Sequence, residues 1–517
     1  MGADEPEVRT AAGVVRGTRA AAGPAVFRGI PFARPPVGAL RFGAPRPVPG
    51  WDGVRKAVAY GPPPPQSSAF GMDALSSGDA TGTGDWLTLN VWTPEPGPGA
   101  GLPVMVWVHG GAYTIGMSGL PEYDGGRLAR EGGVVVVTLN YRVGIEGFAL
   151  IEGAPANRGL LDQVAALEWV RDNIRAFGGD PDRVTVVGQS AGGGSVAALL
   201  AMPLARGLFR RAVAQSMQGT FFSAELAADV AGAFAAELGL RPTVDDLGTV
   251  DPRRLPAAAD AVGAKMERFA ERWGVLAHTS IPFAPVVDGE VLPVAPWEAL
   301  ASGAARDIDL VVGHTRDEYR LFTALDGTLG EVTAAQATEA LRVFAPGTGT
   351  GTGRGKGSGD GEAYRDAFPD AGPEELYERV HADWLFRMPS VHLAEAQIAG
   401  GGRAHLYELT WGAPGMGGGL GACHGLDVPL VFGNLSGGLP AILFGQTPPA
   451  EAEGLSARIR AAWTGFVAGE GPGWPAYDVE RRLVQLFDVT STVAAYPEEA
   501  SRGLWRGHVF GALPLEG

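Results

Sequence analysis

The sequence predicts an α/β fold with a large, mixed and mostly parallel central β-sheet, helices on both faces of the sheet and a helical cap. Residues 102–109 and 134–139 are nearly continuous apolar runs, which are typical of strands buried on both faces. Residues 159–177 then place apolar side chains at every third or fourth position, as an amphipathic helix does. Another strand-like run follows at residues 184–187. Strand, helix and strand in succession favour right-handed crossovers and parallel pairing.

The composition limits the compartment and the partners of the protein. The chain has 517 residues, of which 45% are hydrophobic, and this content is sufficient for a packed core. A net charge of −16 argues against nucleic acid or an anionic membrane as a partner, because both are bound through basic surfaces. The first residues are acidic rather than basic, and no apolar run reaches the ~18 residues of a membrane span. The single cysteine, Cys423, excludes an intrachain disulfide and argues against a cysteine-based metal site, so we expect a globular, cytoplasmic protein.

The N-terminal part predicts edge strands and a loop. Residues 8–60 contain short strand-like pieces interrupted by proline and glycine, which suit an antiparallel edge better than a buried parallel strand. Residues 61–84 are polar and rich in glycine and serine, and we interpret them as a loop. Residues 86–94 predict the next strand.

Two adjacent glycines, Gly110 and Gly111, follow His109 at the end of the strand predicted for residues 102–109. Because they have no side chains, their backbone N–H groups can turn toward a substrate carbonyl. Together with the N–H of Ala191 they would form an oxyanion hole. The alternative is an ordinary Gly-Gly turn.

The run at residues 184–187 ends in Gly188-Gln189-Ser190-Ala191-Gly192, and helical composition follows at residues 196–201. In the Gly-x-Ser-x-Gly pattern a strand turns sharply into a helix, and a strained serine projects its hydroxyl from the corner. The N-terminus of that helix directs N–H groups toward a developing oxyanion, which is machinery for acyl transfer. With 79 glycines in the chain, a Gly-rich β–α turn without chemistry is the alternative.

The second half of the chain predicts further core elements and a cap. Strands are predicted at residues 211–216, 308–313 and 403–410, and a closing helix at residues 455–468. Residues 224–300, largely rich in Ala, Leu and Glu, predict a helical cap over the active edge of the sheet. Residues 347–361 have low complexity, which predicts a flexible surface insertion, although they could also mark a domain boundary. We favour one domain over residues 1–517.

Three polar residues in separate loops complete a candidate triad. A serine hydroxyl is a poor nucleophile until an imidazole accepts its proton, and a carboxylate must orient that imidazole. Ser190, Glu318 and His424 occur in the order nucleophile, acid, histidine, and each lies in a loop after a predicted strand.

At this point the chain is similar to the type-B carboxylesterase family, the cholinesterase and bacterial para-nitrobenzyl esterase branch of the α/β-hydrolases. The shared motifs span nearly the whole chain. In chain order they are Phe27-Arg28-Gly29-Ile30-Pro31-Phe32-Ala33, Leu89-Asn90-Val91-Trp92, His109-Gly110-Gly111, Asn140-Tyr141-Arg142, Gly159-Leu160-Leu161-Asp162-Gln163, Phe177-Gly178-Gly179-Asp180-Pro181 and Gly188-Gln189-Ser190-Ala191-Gly192-Gly193.

The resemblance implies an α/β-hydrolase fold and assigns roles within it. Ser190 would be the nucleophile, Glu318 the acid of the family's Gly-x-x-x-x-Glu stretch, and His424 the base of its His-Gly-x-Asp/Glu-x-Pro stretch. The residue after the acid is commonly glycine in the family and is Tyr319 here, which leaves Asp317 as a rival for the acid.

One departure from the family concerns an ion pair. Family members often have Ser-Glu-Asp-Cys-Leu where this chain has Thr83-Gly84-Asp85-Trp86-Leu87. The family's structural ion pair from that glutamate to Arg41 is therefore expected to be missing or to be remade by Asp85.

Other reactive residues have structural interpretations. We expect His109 to support the glycine loop, His314 to pack or to hydrogen-bond, and Cys423 to behave as a small buried hydrophobe. Ser216 and Asp427 are candidates for steadying His424, or form a satisfied polar pair. Four aromatic residues could line a gorge but are more typical of core: Trp107, Tyr113, Phe221 and Phe222.

The sequence therefore predicts a serine carboxylesterase that hydrolyses small-molecule carboxylic esters through an acyl-enzyme. Histidine–carboxylate metal motifs are absent, and the reaction needs no cofactor. A non-catalytic binding protein on the same fold is the alternative from another class, and a lipase or an amidase is the alternative among enzymes.

Overall fold

The computed structural model describes residues 5–21, 23–67, 84–347 and 361–517. In these ranges the strands are β1 (Glu7–Arg9), β2 (Val14–Arg16), β3 (Thr18–Arg19), β4 (Ala25–Pro31), β5 (Val54–Lys56), β6 (Thr88–Thr93), β7 (Leu102–Val108), β8 (Val135–Leu139), β9 (Gly179–Gln189), β10 (Arg211–Gln215), β11 (Phe221–Ser223), β12 (Val286–Val287), β13 (Asp309–Thr315), β14 (Arg403–Leu409), β15 (Leu483–Phe487), β16 (Thr492–Ala495) and β17 (Ala512–Leu513).

The α-helices of the same ranges are α1 (Gly126–Gly132), α2 (Gly144–Phe148), α3 (Arg158–Asn173), α4 (Ala191–Ala201), α5 (Ala224–Glu237), α6 (Val244–Leu247), α7 (Leu255–Gly263), α8 (Ala270–Trp273), α9 (Pro296–Ala301), α10 (Arg320–Leu325), α11 (Ala334–Phe344), α12 (Glu362–Ala367), α13 (Pro373–Ala382), α14 (Met388–Ala399), α15 (Asp427–Phe432), α16 (Gly438–Phe444), α17 (Ala450–Ala468) and α18 (Glu499–Trp505). Shorter 3₁₀ segments connect several of them.

Eleven of these strands form one sheet, in the order β16-β15-β14-β13-β10-β9-β7-β8-β6-β4-β3. The run from β15 to β8 is parallel, whereas β16 at one edge and β6, β4 and β3 at the other are antiparallel. The predicted mixed, mostly parallel sheet is therefore confirmed, and so is the antiparallel character of its N-terminal edge.

The sheet separates two apolar clusters, one on each face. Alternate residues of β7 contribute to them: Val104 and Val106 lie in one cluster, and Met105 and Trp107 lie in the other. Helices α3 and α4 cover the first face, and α17 covers the second. This two-sided burial explains why β7 and β8 are continuous apolar runs rather than alternating ones.

The predicted helix at residues 159–177 is present as α3 followed by a 3₁₀ turn at Ile174–Phe177. Gly178 ends that turn in the left-handed conformation, with φ of 88°. The helix predicted at residues 455–468 begins earlier than expected, at Ala450, and buries Ile459, Trp463 and Phe466 as predicted.

Two of the larger parts of the fold that were not predicted from the sequence lie in the second half of the chain. One is the pair β15 and β16, which extends the sheet beyond β14. Three of the four residues of β16 are exposed, so the strand carries no hydrophobic signal. The other is the series of helices from α11 to α14, in which a π-helical segment, Asp383–Arg387, joins α13 to α14.

The region assigned to a cap, residues 224–300, contains α5 to α8 and most of α9. It is largely helical, as predicted, but α9 packs against α4 and α14 rather than standing apart from the core. Most of the predicted loop at residues 61–84 and of the predicted insertion at residues 347–361 lies outside the described residues.

Candidate active site

Ser190 lies on the sharp corner between β9 and α4. Its backbone has φ of 60° and ψ of −125°, a conformation that L-residues adopt only under strain. A Cβ atom on Gly192 would lie 2.1 Å from the carbonyl oxygen of Val108, so the corner packs against β7 only if this residue is glycine. The serine N–H donates to the Gln215 carbonyl at 2.9 Å, which ties the corner to β10.

Glu318 and His424 meet beyond the ends of two neighbouring strands. Glu318 follows β13, and His424 lies in the loop after β14. The imidazole Nδ1 and the carboxylate Oε2 are 2.6 Å apart, and both side chains are buried. The backbone N–H of Thr315 donates to the other carboxylate oxygen at 2.8 Å, so the carboxylate has a fixed orientation.

The Glu318 carboxyl is kept ionised despite its burial. Burial raises its pKa, but the facing His424 imidazole, the Ser216 hydroxyl and the Thr315 N–H together hold the pKa below its ordinary value. An ionised carboxylate accepts the Nδ1 proton of His424, and the lone pair of the imidazole then lies on Nε2.

The Nε2 atom of His424 contacts the side-chain amide nitrogen of Gln189 at 3.1 Å. Because Nε2 carries the lone pair, the Gln189 amide donates this hydrogen bond. In the part of the chain that the structure describes, no hydrogen bond involves the Ser190 hydroxyl. The structure thus brings Glu318 onto Nδ1 of His424, and Gln189 contacts the other nitrogen, Nε2, which is left to accept a serine proton.

The glycine loop after β7 lies against the serine corner. A Cβ atom on Gly110 would be 3.0 Å from Cβ of Ser190 and 2.8 Å from the Gln189 carbonyl oxygen. Within the described ranges, no acceptor is hydrogen-bonded to the N–H groups of Gly110, Gly111 or Ala191. Gly110 and Ala191 thus have free N–H donors next to Ser190, and Gly111 follows in the same loop; free donors of this kind are what an oxyanion site requires.

Two aromatic rings that the sequence analysis did not identify contact the histidine. The Phe386 ring centre lies 4.2 Å from that of His424, and the Phe322 ring centre lies 5.3 Å from it. Phe386 belongs to the π-helical segment, a type of irregularity that is frequent at functional sites. The proximity of Phe322 to Glu318 in sequence was the only available signal. The aromatic residues considered for a gorge are instead core: Trp107, Tyr113, Phe221 and Phe222 are all buried in apolar clusters.

Asp317, the rival acid, faces away from the histidine. Its carboxylate accepts the N–H of Ala422 at 2.8 Å and pairs with Arg316 and Arg320. The geometry therefore separates two adjacent acids that spacing alone left open.

The other reactive residues have structural contacts. His109 places Nδ1 2.8 Å from the Gly110 carbonyl oxygen and stacks on Tyr141, and His314 lies between the Thr315 carbonyl and the Tyr496 hydroxyl. Burial lowers the pKa of both histidines to about 4. Burial also raises the pKa of the Cys423 thiol to about 12, which makes it a poor nucleophile.

Asp427 does not touch His424. It accepts hydrogen bonds from Gln215 and Tyr407, each at 2.8 Å, and burial raises its pKa to about 6. Of the pair named from the sequence, Ser216 alone lies beside Glu318, and its hydroxyl helps to lower the pKa of that carboxyl.

The expected ion pair between Arg41 and the family's glutamate is missing, which is the first of the two alternatives given for Arg41. Arg41 is not left without an acid, and Asp85 does not replace the missing glutamate. Glu146 at the start of α2 pairs with Arg41 at 2.7 Å in a nearly buried contact, whereas Asp85 lies 3.9 Å from Arg55. The residue that replaces the missing glutamate is distant in sequence, so local motif comparison could not find it.

Among the described residues, no cluster of three or more His, Cys, Asp or Glu side chains could hold a metal ion. None of the helices in these ranges combines the length and the apolar character needed to cross a membrane.

Comparisons with known proteins match most of the chain to one family. The model of the carboxylesterase family matches residues 4–486. The para-nitrobenzyl esterase of Bacillus subtilis is 39% identical over 510 residues, covering 96% of this chain and 97% of that protein. The phenmedipham hydrolase of Pseudarthrobacter oxydans is 34% identical and covers 87% and 89% of the two chains.

Solved structures give the same result. A PNB esterase superimposes with a TM-score of 0.82 at 37% identity, covering 97% of this chain and 99% of the other. A Geobacillus stearothermophilus carboxylesterase superimposes with a TM-score of 0.82 at 34% identity, covering 96% and 99%.

Proposed function

Because this chain belongs to the carboxylesterase family and hydrolyses carboxylic esters, we propose that Ser190, His424 and Glu318 carry out the reaction. The observation that supports this assignment best is the 2.6 Å contact between His424 Nδ1 and Glu318 Oε2, with the carboxylate fully buried. It fixes the tautomer and directs the basic Nε2 toward the corner that carries Ser190.

In the proposed acylation step, the Ser190 hydroxyl attacks the ester carbonyl while His424 Nε2 accepts its proton. The Gln189 amide must first release Nε2, because the nitrogen has one lone pair. Glu318 stabilises the imidazolium that forms. The carbonyl oxygen becomes an oxyanion held by the N–H groups of Gly110, Gly111 and Ala191.

The intermediate then collapses, and the proton on Nε2 passes to the leaving alcohol. The acyl group remains on Ser190 as an ester. In the second half of the reaction, His424 removes a proton from water, the hydroxide attacks the acyl-enzyme, and the acid leaves as the serine regains its proton.

Hydrolysis of para-nitrophenyl acyl esters from C2 to C12 tests the assignment of the nucleophile. We expect Ser190→Ala to reduce turnover to background at every chain length. Cys423→Ala is the matched control, because its thiol is the alternative nucleophile next to His424, and it should keep near wild-type turnover. A sulfonyl fluoride should label the wild-type protein and Cys423→Ala once per chain and should leave Ser190→Ala unlabelled. Turnover by Ser190→Ala equal to that of the wild type would contradict the assignment.

Two further substrates, an emulsified ester and an anilide, separate the related functions. A lipase is activated at an oil–water interface, and an amidase cleaves anilides at rates comparable with esters. We propose that the substrate is a small ester in solution, so neither behaviour is expected. A non-catalytic binding protein would show no difference between the wild type and Ser190→Ala.

We further propose a single domain over residues 1–517, with residues 224–300 as a cap; the insertion expected at residues 347–361 lies mostly outside the described residues. One unpaired cysteine suits a reducing compartment, which supports a cytoplasmic location. The net charge of −16 supports the absence of a nucleic-acid partner.

A further inference from the structure

A cavity lies at the opposite end of the sheet from Ser190. Its volume is about 420 Å³. Three of its residues, Arg211, Asp309 and Arg403, are the first residues of β10, β13 and β14 and lie side by side in the parallel register. The C-terminal end of α17 and residues 469–475 form the other side of the cavity. The catalytic loops follow the other ends of these strands, so the cavity is separate from the ester site.

Some of the charged side chains at this cavity have protein partners and one does not. Asp309 and Arg403 form an ion pair at 2.7 Å. Arg183, which is close enough to influence Arg211, donates to the carbonyl oxygens of Gly101 and Ala468. In the described ranges no hydrogen bond, ion pair or ring contact involves the guanidinium of Arg211. Arg211 is thus a partly exposed cation whose donors have no protein acceptor and remain open to a ligand.

The electrostatics around Arg211 favour an added anion. Burial lowers the pKa of its guanidinium, Asp309 partly opposes this, and the neighbouring Arg183 and Arg403 lower it further. Cations that repel one another are stabilised when an anion is placed between them. The other acid at the cavity, Glu470, is exposed.

The backbone is also adapted to the exposed guanidinium. Gly469 has φ of 89°, and a Cβ atom there would lie 2.4 Å from Nη2 of Arg211. A side chain at position 469 would require the flexible end of Arg211 to shift, so glycine at the end of α17 leaves the guanidinium in its place beside the cavity.

The remaining lining is aromatic and proline-rich. It consists of the rings of Phe466, Trp474 and His405 together with Pro472 and Pro475. The His405 ring meets the other two edge-on, with centroids 6.5 Å and 6.2 Å away, and its Nδ1 is 3.1 Å from the Trp474 carbonyl oxygen. Burial lowers the pKa of His405, so this wall is uncharged at neutral pH. Phe466, Trp474 and His405 are largely buried and present only part of their rings to the cavity, so the uncharged wall beside Arg211 suits a small ligand with a flat apolar body and one anionic end.

We propose that this cavity binds a small aromatic carboxylate, with the carboxylate accepting hydrogen bonds from Arg211 and the ring lying along the wall of Phe466, Trp474 and the prolines. Arginine suits this role because its planar fork matches the two oxygens of a carboxylate. The site does not depend on the assignment of Ser190, Glu318 and His424.

Binding of 4-fluorobenzoate, followed by fluorine NMR and by calorimetry on the full-length protein, tests this site. We expect Arg211→Gln to weaken binding about tenfold or more, because a hydrogen bond to a charged group is lost. Arg210→Gln is the matched control: it removes the same charge from the neighbouring residue, which is exposed and does not line the cavity, and it should bind as the wild type does. Both variants should hydrolyse para-nitrophenyl esters at the wild-type rate, which shows that they are folded.

Two comparison ligands distinguish the aromatic carboxylate from other occupants. Benzamide lacks the negative charge, and inorganic phosphate lacks the ring. Each should bind more weakly than 4-fluorobenzoate, and only the binding of the two anions should weaken as salt is added. Unchanged affinity of Arg211→Gln for 4-fluorobenzoate would overturn the proposal. Phosphate or benzamide binding as tightly as 4-fluorobenzoate would also overturn it.

Discussion

At the scale of single residues, the two nitrogens of His424 have different partners. Nδ1 contacts an ionised, buried carboxylate, and Nε2 accepts from a neutral amide. The first contact prepares the imidazole to act as a base. The second occupies the lone pair of Nε2, which in the proposed reaction accepts the serine proton. The Gln189 amide therefore competes with the Ser190 hydroxyl for this nitrogen. Two substitutions separate these effects.

Replacing Glu318 by Gln should lower kcat for para-nitrophenyl acetate by about 10³–10⁴, because the imidazole loses its anionic partner and its fixed tautomer. The adjacent Asp317→Asn is the matched control, since its carboxylate contacts the Ala422 N–H and two arginines rather than the histidine. We expect kcat of Asp317→Asn to stay within about tenfold of the wild-type value, because His424 keeps its carboxylate partner. A larger loss of kcat in Asp317→Asn than in Glu318→Gln would indicate that Asp317, rather than Glu318, is the acid.

Replacing Gln189 by Glu should move the acid limb of the profile of kcat/KM against pH to higher pH. A carboxylate 3.1 Å from Nε2 stabilises the protonated imidazole, which cannot act as a base. Gln189→Met removes the amide without adding charge, so it should produce a smaller shift. An acid limb that does not move in Gln189→Glu would mean that the contact is lost before catalysis begins.

At the scale of elements, the helix α3 is joined to the loop after β8 by a fully buried ion pair. Arg142 and Asp162 are each 0% exposed, with Nε and Oδ2 2.8 Å apart. The carboxylate also accepts the backbone N–H of Arg142 at 3.0 Å, and one guanidinium N–H binds the Gly43 carbonyl. Two of the motifs seen in the sequence, at residues 140–142 and 159–163, therefore form one contact.

Asp162→Asn should lower the free energy of unfolding by about 3–5 kcal/mol, because it leaves the Arg142 charge buried without a counter-ion. Urea unfolding measures the change. Asp172→Asn is the control: its partner Arg171 lies in the same helix, but both side chains are half exposed, so a loss below about 1 kcal/mol is expected. Equal losses of unfolding free energy in Asp162→Asn and Asp172→Asn would show that burial does not decide how much the ion pair contributes to stability.

At the scale of the whole molecule, several buried acids are protonated near neutral pH. Glu408 on β14 is the strongest case. Both of its carboxyl oxygens are buried, and in the described part of the chain neither has a hydrogen-bond partner. Burial and the nearby Glu498 raise its pKa to about 8, and burial raises the pKa of Glu378 to about 7. Such groups bind a proton more tightly in the folded chain than in the unfolded chain, so their contribution to stability is present below a pH of about 4.3 and is lost as the pH rises.

Glu408→Gln should therefore become more stable relative to the wild type as the pH rises from about 5 to 8. Glutamine resembles the protonated carboxyl in shape but has no proton to lose on unfolding. Urea midpoints at pH 5, 6.5 and 8 test this, with the exposed Glu271→Gln as a control that should show no such trend. A stability difference between Glu408→Gln and the wild type that is independent of pH would disprove the protonated state of Glu408.

Much of the fold could be predicted because its signals are local. Burial on both faces requires β7 and β8 to be apolar throughout, and the corner at Ser190 requires glycine at position 192. The strand β16 could not be predicted, because an edge strand with exposed side chains has no apolar pattern. The helices around the π-helical segment were also missed, because their faces are defined by contacts with distant elements.

The sequence by itself determined the fold class, the family and the three candidate catalytic residues, because each depends on a motif whose spacing is set by the backbone over a few residues. Only the tertiary structure decided which of two adjacent acids faces His424, that Gln189 occupies Nε2, and that Glu146 pairs with Arg41. It also decided that the first residues of three strands leave one arginine without a partner beside an aromatic cavity. These contacts join segments that are far apart in the chain. They form only when the assembled sheet brings the segments together and fixes the direction and the burial of each side chain.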